Sequence, residues 1–243
     1  MTKYDQATNV GLVRKQNEDS IAVIEPDTFI VADGMGGQAA GEVASRMLIE
    51  TVKNELNNAP LPWNEETLRA AISKANENIL SEAKSHSEYE GMGTTATLLH
   101  IAQPKETQPQ IITQRAFYAH VGDSRLYKLE HDNLKQITRD HSYVEDLVLK
   151  GEITEEEARN HPMKNVLTQA VGAMSDINID VGSFKVKSGE VYLLCTDGLT
   201  NMVADEEIFN ILHSTKKPAD DLIEAALSHG GKDNVSVIVV GIL

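Results

Sequence analysis

The sequence predicts an α+β sandwich, in which antiparallel sheets are covered by amphipathic helices. Short β-rich runs joined by tight connections, at Pro26-Asp27 and Gly122-Asp123, indicate a hairpin and a meander in place of βαβ crossovers. Amphipathic helical stretches inserted between these strand sets give the sheets a cover. No internal repeat or linker-like stretch breaks the pattern, so residues 1–243 are expected to form one domain.

Tyr4 to Val10 and Ser20 to Glu25 read as strands around the polar loop RKQNED, and Pro26-Asp27 turns the chain into Thr28–Ala32. A helix is expected from about Ala39 to Asn57, with Val43, Met47, Leu48, Val52 and Leu56 on one face. Pro60 and Pro62 end it. Asn64 is suited to cap a second helix, whose stripe is Leu68, Ile72, Ala75, Ile79 and Ala83. Thr94–Ile101 is β-rich, and Gln103–Gln110, with Pro104 and Pro109, reads as a loop. Ile111–Val121, Ser124–Glu130 and Leu134–Thr138 complete the expected meander. Ser142 to Asn160 is charged and helical, split by Gly151. Strands are expected at Val166–Val171, Ile177–Val186 and Glu190–Thr196, helices at Asp205–His213 and Pro218–Ser228, and a buried strand at Asn234–Val240.

Composition bounds the function. The chain is 41% hydrophobic and 24% charged, ordinary for a globular protein. A formal charge of -15 argues against nucleic acid or an anionic membrane as partner. Cys195 is the single cysteine and excludes an internal disulfide, and its setting in YLLC reads as a buried structural thiol. The N-terminus has no signal-peptide core, and no apolar run reaches the ~20 residues that span a bilayer. A cytoplasmic location is expected.

The stretch TFIVADGMGG, Thr28 to Gly37, admits two readings. Gly34 to Ala39 fits the dinucleotide pattern G-x-G-x-x-A, but a second helix follows where that motif needs a strand ending in an acid. The favoured reading is a metal site. Asp33-Gly34 is echoed by Asp197-Gly198 after another apolar run, Asp233-Asn234 precedes the last strand, Asp123 lies at a strand connection, and Glu18-Asp19 precedes the second strand. One such Asp is usually a turn residue bonding its own backbone. Five acidic strand ends are harder to dismiss. Two carboxylates about 4 Å apart repel by about 4 kcal/mol at an effective dielectric near 20, a large part of a typical folding stability. Divalent cations relieve that repulsion, and oxygen donors without a Cys or His cluster favour Mg²⁺ or Mn²⁺ over Zn²⁺.

RKQNED, VADGMGG, GMGTTAT, GDSR, CTDGL and KDNVSVIVV follow one another as in the PPM family, the metal-dependent Ser/Thr protein phosphatases of type 2C. The chain resembles its compact bacterial members from Asn9 to Val240. The resemblance implies a four-layer αββα sandwich and hydrolysis of phosphoserine and phosphothreonine in proteins, reversing Ser/Thr kinase signalling. It implies two Mn²⁺ or Mg²⁺ ions bridged by Asp33, with the Gly34 carbonyl on one and Asp197 and Asp233 on the other. Asp123 and Asp197 match positions that hold a third, weaker ion. Glu18, Asp19 and Asn234 match outer positions that orient metal-bound waters, and Arg14 matches the phosphate-gripping arginine. A water activated between the ions attacks phosphorus in line, without a covalent intermediate. Residues of about 143–165 correspond to the flap beside the active site.

Many eukaryotic members have His where this chain has Met35, which cannot donate a proton. His141 and His161 are candidates for the missing acid only by motif order, and structural roles are favoured for both, so no acid is assigned. The implied partners are phosphoproteins and a cognate Ser/Thr kinase, with a monomer expected. Two other readings are a phosphatase for one regulatory phosphoserine, which usually comes with sensor domains, and a non-enzymatic module, which typically loses the metal acids that persist here.

Overall fold

A computed structural model describes residues 2–37, 40–103 and 114–243. The expected helix start at Ala39, and the expected loop and strand start over residues 104–113, lie outside the described residues.

The elements in chain order are β1 (Thr2–Asn9), β2 (Asp19–Ile24), β3 (Thr28–Met35), α1 (Ala40–Asn58), α2 (Glu65–Ser85), β4 (Gly93–Thr94), β5 (Ala96–Ile101), β6 (Gln114–Val121), β7 (Arg125–Glu130) and β8 (Asn133–Gln136). They continue with α3 (Tyr143–Leu149), α4 (Glu155–Arg159), β9 (Asp180–Val186), β10 (Val191–Cys195), α5 (Asp197–Thr200), α6 (Asp205–Ser214), α7 (Pro218–Ser228) and β11 (Val235–Ile242). One sheet has the order β1-β11-β10-β7-β8 and the other β2-β3-β5-β6-β9, with β4 paired to β3. Every ladder is antiparallel. That pairing leaves no βαβ unit around Gly34 and removes the dinucleotide reading.

Period-two alternation sorts side chains into three apolar layers. In β3, Phe29 and Val31 face the opposite sheet, while Ile30 and Ala32 face α1 and α2. In β10, Tyr192 and Leu194 face between the sheets, while Leu193 and Cys195 join the layer under α5, α6 and α7. These layers produce the expected αββα sandwich. Cys195 is buried, and that burial pushes its thiol up to about 12, so it is unreactive packing. In α1, Ala44, Leu48, Val52 and Leu56 recur at i+4 on the covering face. Asn64 caps α2 by accepting from the Thr67 amide.

Two expectations fail. Gly122-Asp123 does not close a hairpin: β6 belongs to one sheet and β7 to the other, so the connection crosses between them. Residues 166–171 do not form a strand and make only isolated bridges, Ser142 with Leu167 and Thr94 with Val171. There the local run is β-prone but lacks a continuous partner, and strands persist through their pairing. The charged helical stretch splits into α3 and α4 around Gly151, as expected.

Candidate active site

All the acids singled out above lie at one end of the sandwich. Antiparallel pairing places the start of β2 beside the end of β3, and Asp19 directly opposite Asp33. In the other sheet, β10 ends at Cys195, just before Asp197, beside the start of β11, just after Asp233. The crossing from β6 to β7 brings Asp123 to the same end.

Hydroxyls and amides hold this end together. The Asp33 amide donates to Thr95 Oγ1 at 2.9 Å, and the Asp33 carbonyl accepts from the Thr95 amide and Thr94 Oγ1, each at 2.9 Å. Thr95 Oγ1 also meets Ser124 Oγ at 2.7 Å, which ties β3 to the Asp123 crossing. Gly34 is required by close approach: a Cβ there would lie 2.1 Å from the Gly41 carbonyl oxygen and 2.5 Å from that of Glu18. Its amide donates to the Glu18 carbonyl at 3.1 Å, which also accepts from Ser45 Oγ at 2.6 Å.

Asn234 fixes the loop that carries Arg14. Its Oδ1 accepts from the Glu18 amide at 2.8 Å, and its Nδ2 donates to the Val10 and Gln16 carbonyls, each at 2.9 Å. Arg14 reaches back from this loop, donating Nη2–H to Asp233 Oδ2 at 2.8 Å. One of the five guanidinium N–H groups is thereby used, and the side chain is half exposed.

Asp19 is the most confined of the acids in hydrogen-bonding terms. Its Oδ2 accepts from Thr196 Oγ1 at 2.9 Å and Ser236 Oγ at 2.7 Å, while its buried Oδ1 has no partner among the described residues. Burial, then Asp197 and Asp233, push its carboxyl up to about 7. Burial and the facing Asp19, Asp197, Asp123 and Asp233 raise Asp33 well above the carboxylate range. Asp123 is raised by burial and Asp197, and Asp197 to about 6 by burial and Asp233. Glu18 is raised more weakly, chiefly by burial. Each acid is thus held beside like charges with too little positive charge to balance them.

The donor set suits a hard cation: oxygen ligands only, raised acids, and one orphaned carboxylate oxygen. Among the described residues, no three His, Cys, Asp or Glu form a ready-made cage.

Beside the acids, residues 143–165 bound a cavity of about 660 Å³ whose walls include Asp123, Asp197, Arg125, Arg159 and Lys164. Lys164 donates to Asn201 Oδ1 at 3.1 Å, and Asn201 Nδ2 donates to Asp197 Oδ2 at 2.8 Å, so this segment is linked to the cluster. Arg125 of GDSR makes a forked ion pair with Asp140 of TRDHS, at 3.0 Å from Nε and 2.7 Å from Nη2. Of the two candidate histidines, only His141 has both ring nitrogens engaged. His141 Nδ1 accepts from the Gly122 amide and its Nε2 meets Asp180, while His161 Nδ1 accepts from the Met163 amide. Met35 packs against Gly93. Sequence reasoning overlooked the scaffold of Thr95, Ser124, Thr196 and Ser236, although each lies within a quoted motif: GMGTTAT, GDSR, CTDGL and KDNVSVIVV.

Raised carboxylates converging from two sheets, with an arginine at their rim, form a site suited to divalent cations and a phosphate group. The chain belongs to the protein phosphatase 2C family, whose model matches residues 13–234. It is 38% identical to the serine/threonine phosphatase Stp of Listeria monocytogenes over 251 residues, covering 96% of this chain and 93% of that protein. It is similar to the crystal structure of the serine/threonine phosphatase PstP/Ppp of Mycobacterium tuberculosis, with a TM-score of 0.89 and 36% identity, covering 99% of this chain and 98% of that one. A PstP catalytic domain in complex with two manganese ions is similar at a TM-score of 0.87 and 36% identity, covering 99% and 97%. Among the described residues no helix is long and apolar enough to cross a membrane.

Proposed function

We propose that this single catalytic unit hydrolyses phosphoserine and phosphothreonine in proteins through Mn²⁺ or Mg²⁺ held at the acid cluster, in opposition to a cognate Ser/Thr kinase. Asp33 and the Gly34 carbonyl would hold the ions together with Asp197 and Asp233, and Asp123 with Asp197 would hold a further, weaker one. Glu18, Asp19 and Asn234 orient the surrounding waters and loops. The ions, when bound, lower the pKa of water toward neutrality and offset charge on the phosphoryl group.

Arg14 grips the phosphate with its remaining N–H groups, a task suited to a planar fork that can meet two oxygens. The rigid Asn234 contacts keep that fork at a fixed distance from the acids. Water adds to phosphorus as the Ser or Thr oxygen leaves. The proton lost by the attacking water balances the one that oxygen gains, and no side chain is assigned to deliver it: Met35 carries none and His141 is bound to Gly122 and Asp180. Residues of about 143–165 act as a flap that selects substrates. The protein works as a cytoplasmic monomer, a reading supported by its acidic charge and single buried thiol.

The observation that carries this reading is the orphaned Asp19 Oδ1 among raised acids beside Arg14. It is tested with a phosphothreonine peptide: Mn²⁺ supports turnover, chelator abolishes it, and Asp197→Ala removes it in a folded protein. Turnover that survives chelator, or a near-normal Asp197→Ala variant, overturns the ligand assignment.

A further inference from the structure

Leu12 and Val13 are 67% and 65% exposed and immediately precede Arg14. Single exposed leucines are ordinary on protein surfaces. This pair differs because its backbone is pinned. The Leu12 amide donates to the Gly231 carbonyl at 2.7 Å. Gly11 lies so close to the next loop that a Cβ would sit 2.3 Å from the Asp233 carbonyl oxygen. Asn234 holds the carbonyls of Val10 and Gln16 on either side. The loop is thus ordered by main-chain contacts, while its two apolar side chains are displayed to solvent.

We propose that Leu12 and Val13 form a ledge that docks an apolar side chain of the substrate phosphoprotein, one or two positions from the phosphorylated residue. The proposal rests on the reading of Arg14 as the phosphate grip. A chain advances at most about 3.6 Å per residue, so the Leu12 and Val13 Cα atoms lie within about 7 Å of that of Arg14. A substrate residue one or two positions from the phosphate-bearing residue has the same reach. The occupant is therefore the continuation of the chain whose phosphate Arg14 holds. Charge narrows the occupant only by exclusion: a protein of net charge -15 repels acidic flanking residues. Because the backbone is already fixed, docking orders little of the enzyme and its apolar contact is largely retained as selectivity.

The test compares phosphothreonine peptides with Leu or with Ser at the two positions on each side of the phosphoresidue, with Mn²⁺ present. An open ledge belongs at the low end of the discrimination a small apolar side chain provides, so the wild-type protein should favour the Leu peptides by about tenfold in kcat/KM. In a Leu12→Ser/Val13→Ser double variant that ratio should fall to near one. No preference in the wild type overturns the proposal without any variant, and so does a preference that survives the double substitution. Wild-type hydrolysis of p-nitrophenyl phosphate, which has no flanking residues, separates the two readings: its presence without peptide preference removes the ledge alone, and its absence removes the phosphatase reading with it.

Discussion

Replacing Asp19 with Asn measures how strongly the acid cluster strains the metal-free fold. Asp19 is buried and accepts two hydroxyl hydrogen bonds through Oδ2, while Oδ1 has no partner among the described residues. Burial, reinforced by Asp197 and Asp233, raises it from 3.8 to about 7 despite those hydroxyls. Such a shift corresponds to about 4 kcal/mol of stability. Because the folded value is raised, that stability is fully present below about pH 4 and is lost as pH climbs through about 7. Asn keeps the shape and still accepts from Thr196 and Ser236, but carries no charge. Burying the amide offsets about 1–2 kcal/mol of the gain, leaving about 2–3 kcal/mol.

At pH 7.5 in chelator, the Asp19→Asn variant should therefore melt roughly 5–10 °C above wild type, by calorimetry or scanning fluorimetry. Near pH 4, where Asp19 is neutral in the folded protein, the order should reverse and the variant melt slightly below wild type, because only the cost of burying the amide is left. Mn²⁺ should raise the wild-type Tm more than the variant's, since the ion supplies the missing countercharge only where the charge exists. A variant that melts below wild type in chelator at pH 7.5 refutes the reasoning. It would mean that the hydroxyls of Thr196 and Ser236 more than offset the repulsion.

Arg14→Ala should lower kcat/KM for a phosphothreonine peptide by about 10²-fold, and Arg14→Lys should restore only part because a point charge lacks the fork. Its ion pair with Asp233 joins side chains that are 50% and 32% exposed, so Tm should hardly move, and a large drop would recast Arg14 as structural. Asp140→Ala strands the Arg125 guanidinium, whose only ion-pair partner among the described residues is Asp140, and should cost about 3–5 kcal/mol in urea unfolding. A loss under about 1 kcal/mol would show that water replaces the carboxylate there. Gly198→Ala places a Cβ 1.9 Å from the Asn234 carbonyl oxygen. It should destabilise by about 1–3 kcal/mol and weaken Mn²⁺ binding, since Asp197 and Asp233 flank the strained contact. Calorimetric titration showing wild-type Mn²⁺ affinity would separate the contact from the site.

The layers of the sandwich were legible because alternation is local. Phe29-Ile30-Val31-Ala32 sends successive side chains to opposite faces whatever pairs with the strand. Partner choice is not local. Nothing in Gly122-Asp123 distinguishes a turn within one sheet from a crossing between two, and residues 166–171 look β-prone although among the described residues they pair only through isolated bridges. The acids were found because Asp-Gly and Asp-Asn recur at the ends of apolar runs. The hydroxyls that hold them were passed over because Thr95 and Thr196 read equally well as ordinary strand residues.

Register is where the sequence alone falls short of the site. Strands ending at Glu25 and resuming at Thr28 leave a two-residue turn, which would set Asp19 opposite Gly34. The structure instead pairs Ile24 with Thr28 around a three-residue loop in which Asp27 has φ 39. Three-residue hairpin loops characteristically end in such a left-handed residue, and Asp tolerates it. That one-residue difference puts Asp19 opposite Asp33. A slip of one residue turns every side chain of a strand to the other face, so the alternative register would point Asp19 away from the cluster or Asp33 out of it. The left-handed turn at Asp27, at the far end of the hairpin, therefore helps decide that two acids of the proposed metal site meet.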